Sequence, residues 1–260
     1  MIFRSQLSPY QSEGAVRPVF DAVAEIQQRA AATDWYVTLP DHCRVSGELA
    51  AAFDSRKVPN LSEAVVRAIT MHDIGWMPYE GDVSSPVEPR RLESGAPVSF
   101  LNTEPEVFLR AWLGSIQAAQ STGPLGGLIV SAHLARLCHP FLERGAGTAE
   151  QRTLVEQFLH HEAERVDRLL PMAGLPLEEI EALITVLQFC DLASIYLCSS
   201  PAAPIEIPQV LNRSRVQFSF EQGSFRMRPN LMDHVVVLEI PCIRFVDGKA
   251  EREMVPVKLQ

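Results

Sequence analysis

The segment Leu177–Leu197 reads LEEIEALITVLQFCDLASIYL, and its reading decides the fold expected of this chain. Glu178, Glu179 and Glu181 sit in the opening turns, where the positive end of a helix macrodipole favours carboxylates. Beyond them the run is apolar on every side, which marks a helix buried all round rather than along one stripe. Asp191 breaks that pattern. An ionised carboxylate loses several kcal/mol or more of hydration on burial unless it is paired or bound to a metal. The helix therefore predicts both a central position for itself and a partner for Asp191 from elsewhere in the chain.

Working outward, the upstream sequence is dominated by helical spacing. Val19–Ala32 carries Phe20, Val23, Ile26 and Ala30 three to four residues apart. An extended piece, Trp35–Leu39, leads to a helix over His42–Phe53 with Asp41 as its cap. Asn60 or Ser62 caps a third helix, Leu61–Asp73, ended by Gly75. The proline-rich stretch Gly81–Pro97 reads as a long surface loop. Helices follow over Glu104–Ala119, Gly126–Cys138 and Thr148–Leu169. After Ser200 the texture changes. Pro201, Pro204 and Pro208 break the helical pattern. Val216–Phe220, Ser224–Met227, His234–Phe245 and Glu253–Leu259 then read as strands, with turns at Gln222-Gly223 and Asp247-Gly248. The expectation is a mainly α protein: an all-α body over residues 1–200 and a small antiparallel β appendage over residues 201–260.

Composition bounds the function. The 260 residues fit one large domain or a domain with a small extension, at roughly 100–200 residues per domain. With 23 basic and 32 acidic residues the formal charge is −9, the wrong sign for a nucleic-acid grip. No stretch is read as a membrane span, and Met1–Tyr10 lacks the pattern of a signal peptide. The five cysteines are odd in number and form no CxxC pair, which points to reduced thiols in a cytoplasm.

The residues that carry chemistry are histidines and aspartates on successive helices. Met71-His72-Asp73-Ile74-Gly75-Trp76 supplies an adjacent imidazole and carboxylate. His42 lies near the start of the preceding helix, His133 inside an apolar one, and His160 and His161 side by side on the next. Asp191 closes the series. Adjacent helical residues point about 100° apart, so only one of His160 and His161 is expected as a direct ligand. Ser194, three residues beyond Asp191, is placed to hydrogen-bond its carboxylate. Cys190 beside Asp191 reads as inert.

This order of His, His-Asp, His, His and Asp resembles the HD-domain superfamily over roughly Pro40 to Ser200. It is also similar to a bacterial family within or beside that superfamily that has an HDxGW motif. The resemblance implies an HD-like helical bundle and a first metal bound by His42, His72, Asp73 and Asp191. In dinuclear members a second metal is held by extra histidines, here His133 and either His160 or His161, with Asp73 bridging. The implied activity is metal-dependent hydrolysis of a phosphoester, with Asp73 and the anion-binding Arg136 as catalytic groups and Arg44 as the alternative to Arg136. Iron, manganese, nickel and zinc all suit imidazole and carboxylate, so one or two divalent ions of any of these are expected. The expected partner is a small anionic substrate such as a phosphoester, without nucleic acid or membrane, in a chain free to form a homo-oligomer. Departures from the superfamily are visible. Trp76 stands where many relatives have an anion-binding lysine, and His160-His161-Glu162 is not followed by the Gly-Tyr-Pro of HD-GYP phosphodiesterases. The long gap from Asp73 to His133 is closer to HD-type di-iron oxygenases such as the inositol oxygenase, where Tyr36 or Trp35 would be the aromatic near the iron. A regulatory module that keeps the metal without turnover is the third reading.

Overall fold

A computed structural model describes residues 1–31 and 34–260. Its order is β1 (Ile2–Arg4), β2 (Arg17–Pro18), α1 (Val19–Arg29), β3 (Trp35–Val37), α2 (Leu39–Ala51), α3 (Glu63–Thr70) and α4 (Met77–Glu80). Then come α5 (Pro105–Gln120), α6 (Pro124–Glu143), α7 (Ala149–Leu169), α8 (Leu177–Ser199), β4 (Ile205–Leu211), β5 (Ser214–Glu221), β6 (Ser224–Arg228), β7 (Val236–Val246) and β8 (Lys249–Leu259). The first predicted helix ends at Arg29, and its expected last residue, Ala32, lies outside the described residues.

The expectation of a mainly α, all-α-bodied protein with a β appendage is overturned. About 48% of the chain is helical and 21% is strand, and the strands form one eight-stranded sheet that curls into a half-barrel. The strand order is β1-β3-β7-β8-β6-β5-β4-β2. Three of those strands come from the first 40 residues. Tyr36 of β3 pairs with Ile243 of β7, and β2 pairs in parallel with β4. The sheet is thus built from both ends of the chain, which tie it to the helices between them. Most of its pairs are antiparallel, but β2 with β4 and β6 with β8 are parallel. Its longest element is the β7–β8 hairpin, turned at Asp247-Gly248 with φ of 51° and 73°. Both residues are left-handed, as a two-residue hairpin requires.

The helix over Leu177–Leu197 is central as read. α8 packs on α2, α6, β4 and β1, and every residue from Phe189 to Ser199 is buried. Of its most apolar window 83% is buried in the fold; for α6 the share is 50%. Both helices are long and apolar enough to cross a bilayer by length and composition, contrary to the sequence reading, and burial of α8 in the core accounts for its composition. α2 begins three residues earlier than expected. Thr38 rather than Asp41 is its cap, accepting from the Asp41 amide at 3.1 Å, and Pro40 is tolerated in the first turn.

Candidate metal centre

Four helical elements bring the ligand-type side chains together. His42 lies one turn inside α2 on the face that packs against α8. α3 stops at Thr70, and the turn that follows swings His72 and Asp73 inward before a short 3₁₀ segment, Ile74–Trp76. That turn is held by a close backbone approach. The Gly75 amide donates to Ser115 Oγ on α5 at 3.0 Å. A Cβ at position 75 would lie 1.9 Å from the Ala111 carbonyl oxygen and 2.6 Å from the Ser115 amide. Backbone atoms cannot step aside, so Gly75→Ala is expected to lower stability by about 3 kcal/mol. A drop in the urea midpoint at unchanged slope would show it, and an unshifted midpoint would contradict the packing argument.

The five residues His42, His72, Asp73, His133 and Asp191 converge. His42 Nε2 is 3.4 Å from Asp73 Oδ2 and 3.5 Å from Asp191 Oδ1. His72 Nε2 is 3.4 Å from Asp191 Oδ1 and 3.9 Å from Asp73 Oδ2. His133 Nε2 is 3.5 Å from Asp191 Oδ2. All five are buried, with His42 at 0% exposure and Asp73, the most exposed, at 8%. His42, His72 and Asp191 each offer a ligand atom within 4.8 Å of the others, so this buried cluster can hold a metal ion.

Two independent observations fit that chemistry. Ligand atoms about 2.1 Å from a metal stand about 3.0 Å apart at a right angle and about 3.4 Å apart at the tetrahedral angle, the spacing seen here. The second is unsatisfied polarity: His42 Nε2, His72 Nε2, Asp73 Oδ1 and both nitrogens of His133 are buried without a hydrogen-bond partner. Unpaired buried polar atoms are rare, and five in one place call for a ligand. The outer ring nitrogens of His42 and His72 do have partners. His72 Nδ1 lies 2.8 Å from the Ile69 carbonyl, which only accepts, so Nδ1 carries a proton and Nε2 faces the carboxylates.

Electrostatics point the same way. Burial is the largest single influence on His72 and would push it down. The close Asp191 contact and the charges of Asp73 and Asp191 outweigh it and hold the ring up at about 9. For Asp191 burial again acts alone in the upward direction, and the facing histidines outweigh it, bringing the carboxyl down to about 2. Burial takes His133 down to about 4, so its ring is neutral at neutral pH. Without a metal, a proton on His72 thus balances the charge of Asp191.

Other predicted site residues lie elsewhere. His160 is on the solvent face of α7, its side chain 74% exposed and 3.3 Å from Glu164, and His161 is exposed beside it. The buried face of α7 is Val155, Phe158, Glu162 and Leu169, which excludes both histidines. Arg136 is at the surface, with two bonds to Glu181 at 2.6 and 2.9 Å, and Arg44 is paired with Glu48 and the Glu239 carbonyl. Neither is free to bind an anion at the centre. Ser194 bonds His42 rather than the Asp191 carboxylate. Trp35 lies under the Arg244 guanidinium at 4.6 Å and Tyr36 donates to the Val87 carbonyl, so neither aromatic serves the centre. Trp76 is buried against Tyr79, and Cys190 is buried with its thiol pushed well up by desolvation. Sequence reasoning missed Ser46, which lies one turn after His42, and Glu162, fully buried between Ser131 and Arg165.

Fold and site together define a class: a mixed α/β protein whose helical layer encloses a buried His-His-Asp cluster able to hold a metal ion. The chain belongs to the family described as protein of unknown function (DUF3891), which matches residues 26–241 and so includes all five converging side chains. No curated protein and no solved structure matches it.

Proposed function

We propose that this protein is a metal-dependent hydrolase of the HD type, acting on a small anionic substrate of the phosphoester class. The observation that carries the reading is the set of orphaned Nε2 atoms of His42 and His72 aimed, at 3.4–3.5 Å, at the carboxylates of Asp73 and Asp191. The order of these four residues along the chain also resembles the HD superfamily. A divalent cation in such a ligand set supplies Lewis acidity, lowering the pKa of a water and stabilising charge on a phosphoryl oxygen. In this reading His42, His72 and Asp191 would hold the ion, and Asp73 Oδ1, which has no partner, would accept the proton of the attacking water. His133 stays neutral and closes the polar wall. A mononuclear centre is favoured, because His160 and His161 are absent from the cluster and the six-ligand set of the dinuclear hydrolases and di-iron oxygenases is not assembled. The five buried free cysteines suit a reducing cytoplasm.

A second reading, a metal-binding module without turnover, is favoured by one observation: no ligand is more than 8% exposed. The test is metal content and turnover. Protein purified without added metal is expected to carry one manganese, nickel, zinc or iron ion per chain and to hydrolyse a generic phosphomonoester or phosphodiester. The His72→Ala variant should lose both properties, and the His160→Ala/His161→Ala double variant should keep both. Metal without hydrolysis would favour the module. Iron with an oxygen-responsive spectrum would favour the oxygenase.

A further inference from the structure

We propose that Ser194, backed by Ser46, is a positioning residue for the metal centre: its hydroxyl fixes the His42 ring with the proton on Nδ1 and the Nε2 lone pair toward Asp73 and Asp191. This rests on the metal reading above but is carried by a different set of contacts. Ser194 Oγ has three polar neighbours: the Asp191 carbonyl at 2.8 Å, His42 Nδ1 at 2.7 Å and Ser46 Oγ at 2.8 Å. It owns one proton and two lone pairs. The carbonyl can only accept, so that contact uses the Ser194 proton. His42 Nδ1 must then donate into Ser194, and the last contact needs the proton of Ser46, whose hydroxyl is closer to Ser194, at 2.8 Å, than to the His42 carbonyl, at 3.2 Å. No other distribution satisfies all three. In the neutral ring His42 then has its lone pair on Nε2, facing two carboxylates 3.4 and 3.5 Å away. A lone pair against two carboxylate oxygens is repulsive in a buried site unless a cation lies between them. The hydroxyl pair therefore holds His42 ready for an ion.

The placement follows from helix periodicity. Ser46 is one turn beyond His42 on α2, and Ser194 is nearly one turn beyond Asp191 on α8. Each ligand helix thus carries a ligand and a hydroxyl on the same face, and the two hydroxyls meet where α2 packs on α8. Both serines are 0% exposed, so no water competes for these bonds.

Two measurements test it. In ¹⁵N-histidine-labelled, metal-free protein the His42 ring should show a protonated Nδ1 and an unprotonated Nε2; the reverse tautomer would overturn the proposal whether or not metal binds. For Zn²⁺ measured against a competing chelator, Ser194→Ala should bind about 10–100-fold more weakly. Ser46→Ala, which leaves the Nδ1 acceptor in place, should lose less, and Ser194→Thr, which keeps the hydroxyl, should recover most of the affinity. Equal Zn²⁺ affinity in wild type and Ser194→Ala would also overturn it. If wild type takes up no Zn²⁺, the metal reading fails and the tautomer alone decides. If Ser194→Ala does not fold, the threonine variant and the wild-type tautomer decide.

Discussion

Asp191→Ala is expected to abolish metal binding and, in the metal-free protein, to cost about 3–5 kcal/mol of stability. Both effects have one origin. The two carboxylate oxygens of Asp191 face three imidazoles, Oδ1 toward His42 and His72 and Oδ2 toward His133. Removing it takes a charged ligand from any cation and leaves protonated His72 buried with only Asp73, 3.9 Å away, as counter-charge. A buried charge stripped of its nearer partner and left with a more distant one is among the few causes of so large a loss from one substitution. Asp191→Asn keeps the volume and should lose metal with a smaller stability cost, which separates the charge from the packing. In wild type, metal at a thousand times its dissociation constant should stabilise the fold by about 4 kcal/mol. For a chain of this size that is a rise in melting temperature of roughly 10 °C, and both Asp191 variants should show none. Thermal scans with and without a chelator, alongside metal analysis, read both quantities. An Asp191→Ala variant that still carries one metal per chain and responds to chelator would remove Asp191 from the centre.

How far the centre was legible in the sequence depends on the kind of signal each residue gave. Asp191 was found because a carboxylate inside an apolar helix needs a partner, and His72-Asp73 because two ligand types are adjacent at a helix end. His133 followed from its place inside an apolar helix. His160 and His161 were misplaced because α7 is amphipathic with a polar majority, and its buried face, Val155, Phe158, Glu162 and Leu169, leaves both histidines toward solvent. The pairing that would have fixed it, Glu162 with Arg165 three residues on and with Ser131 of α6, is partly non-local. The fold suffered from the same limit. β1 is three residues long and includes the fully buried Arg4, whose guanidinium is bonded to the Gln6 and Leu7 carbonyls, so no alternation is visible. β4 contains Pro208, where the register with β5 shifts, and the proline looked like a breaker rather than a bulge. The turn at Asn212-Arg213 puts an arginine at φ 63°, where sequence rules expect glycine or asparagine. Local patterns gave the long helices and hairpins. What made them one sheet was pairing across some 200 residues, which no local pattern encodes.

The proton on His72 gives the second large effect, a pH dependence whose sign is fixed by the direction of the shift. In the metal-free fold His72 is held up at about 9, above its ordinary 6.5. A histidine raised on folding contributes stability that is fully present below 6.5 and lost as pH rises through 9. The amount is on the order of 3 kcal/mol, and it reflects the same contact that brings Asp191 down to about 2, so the two are one contribution seen from either partner. Metal must displace that proton, because a ligating imidazole nitrogen carries none. Two results follow. Below pH 9 the apparent metal affinity should fall about tenfold for each unit of acidification, and one proton should be released per ion bound near pH 7. His133, already neutral above about 4, should add nothing to that count. Calorimetric titration in two buffers of different ionisation enthalpy measures the proton directly. In the metal-saturated protein the alkaline loss of stability should vanish, since no proton remains on His72 to lose. Binding with no proton released, or a metal-free protein whose stability rises from pH 6.5 to 9, would show that His72 does not carry the charge that balances Asp191.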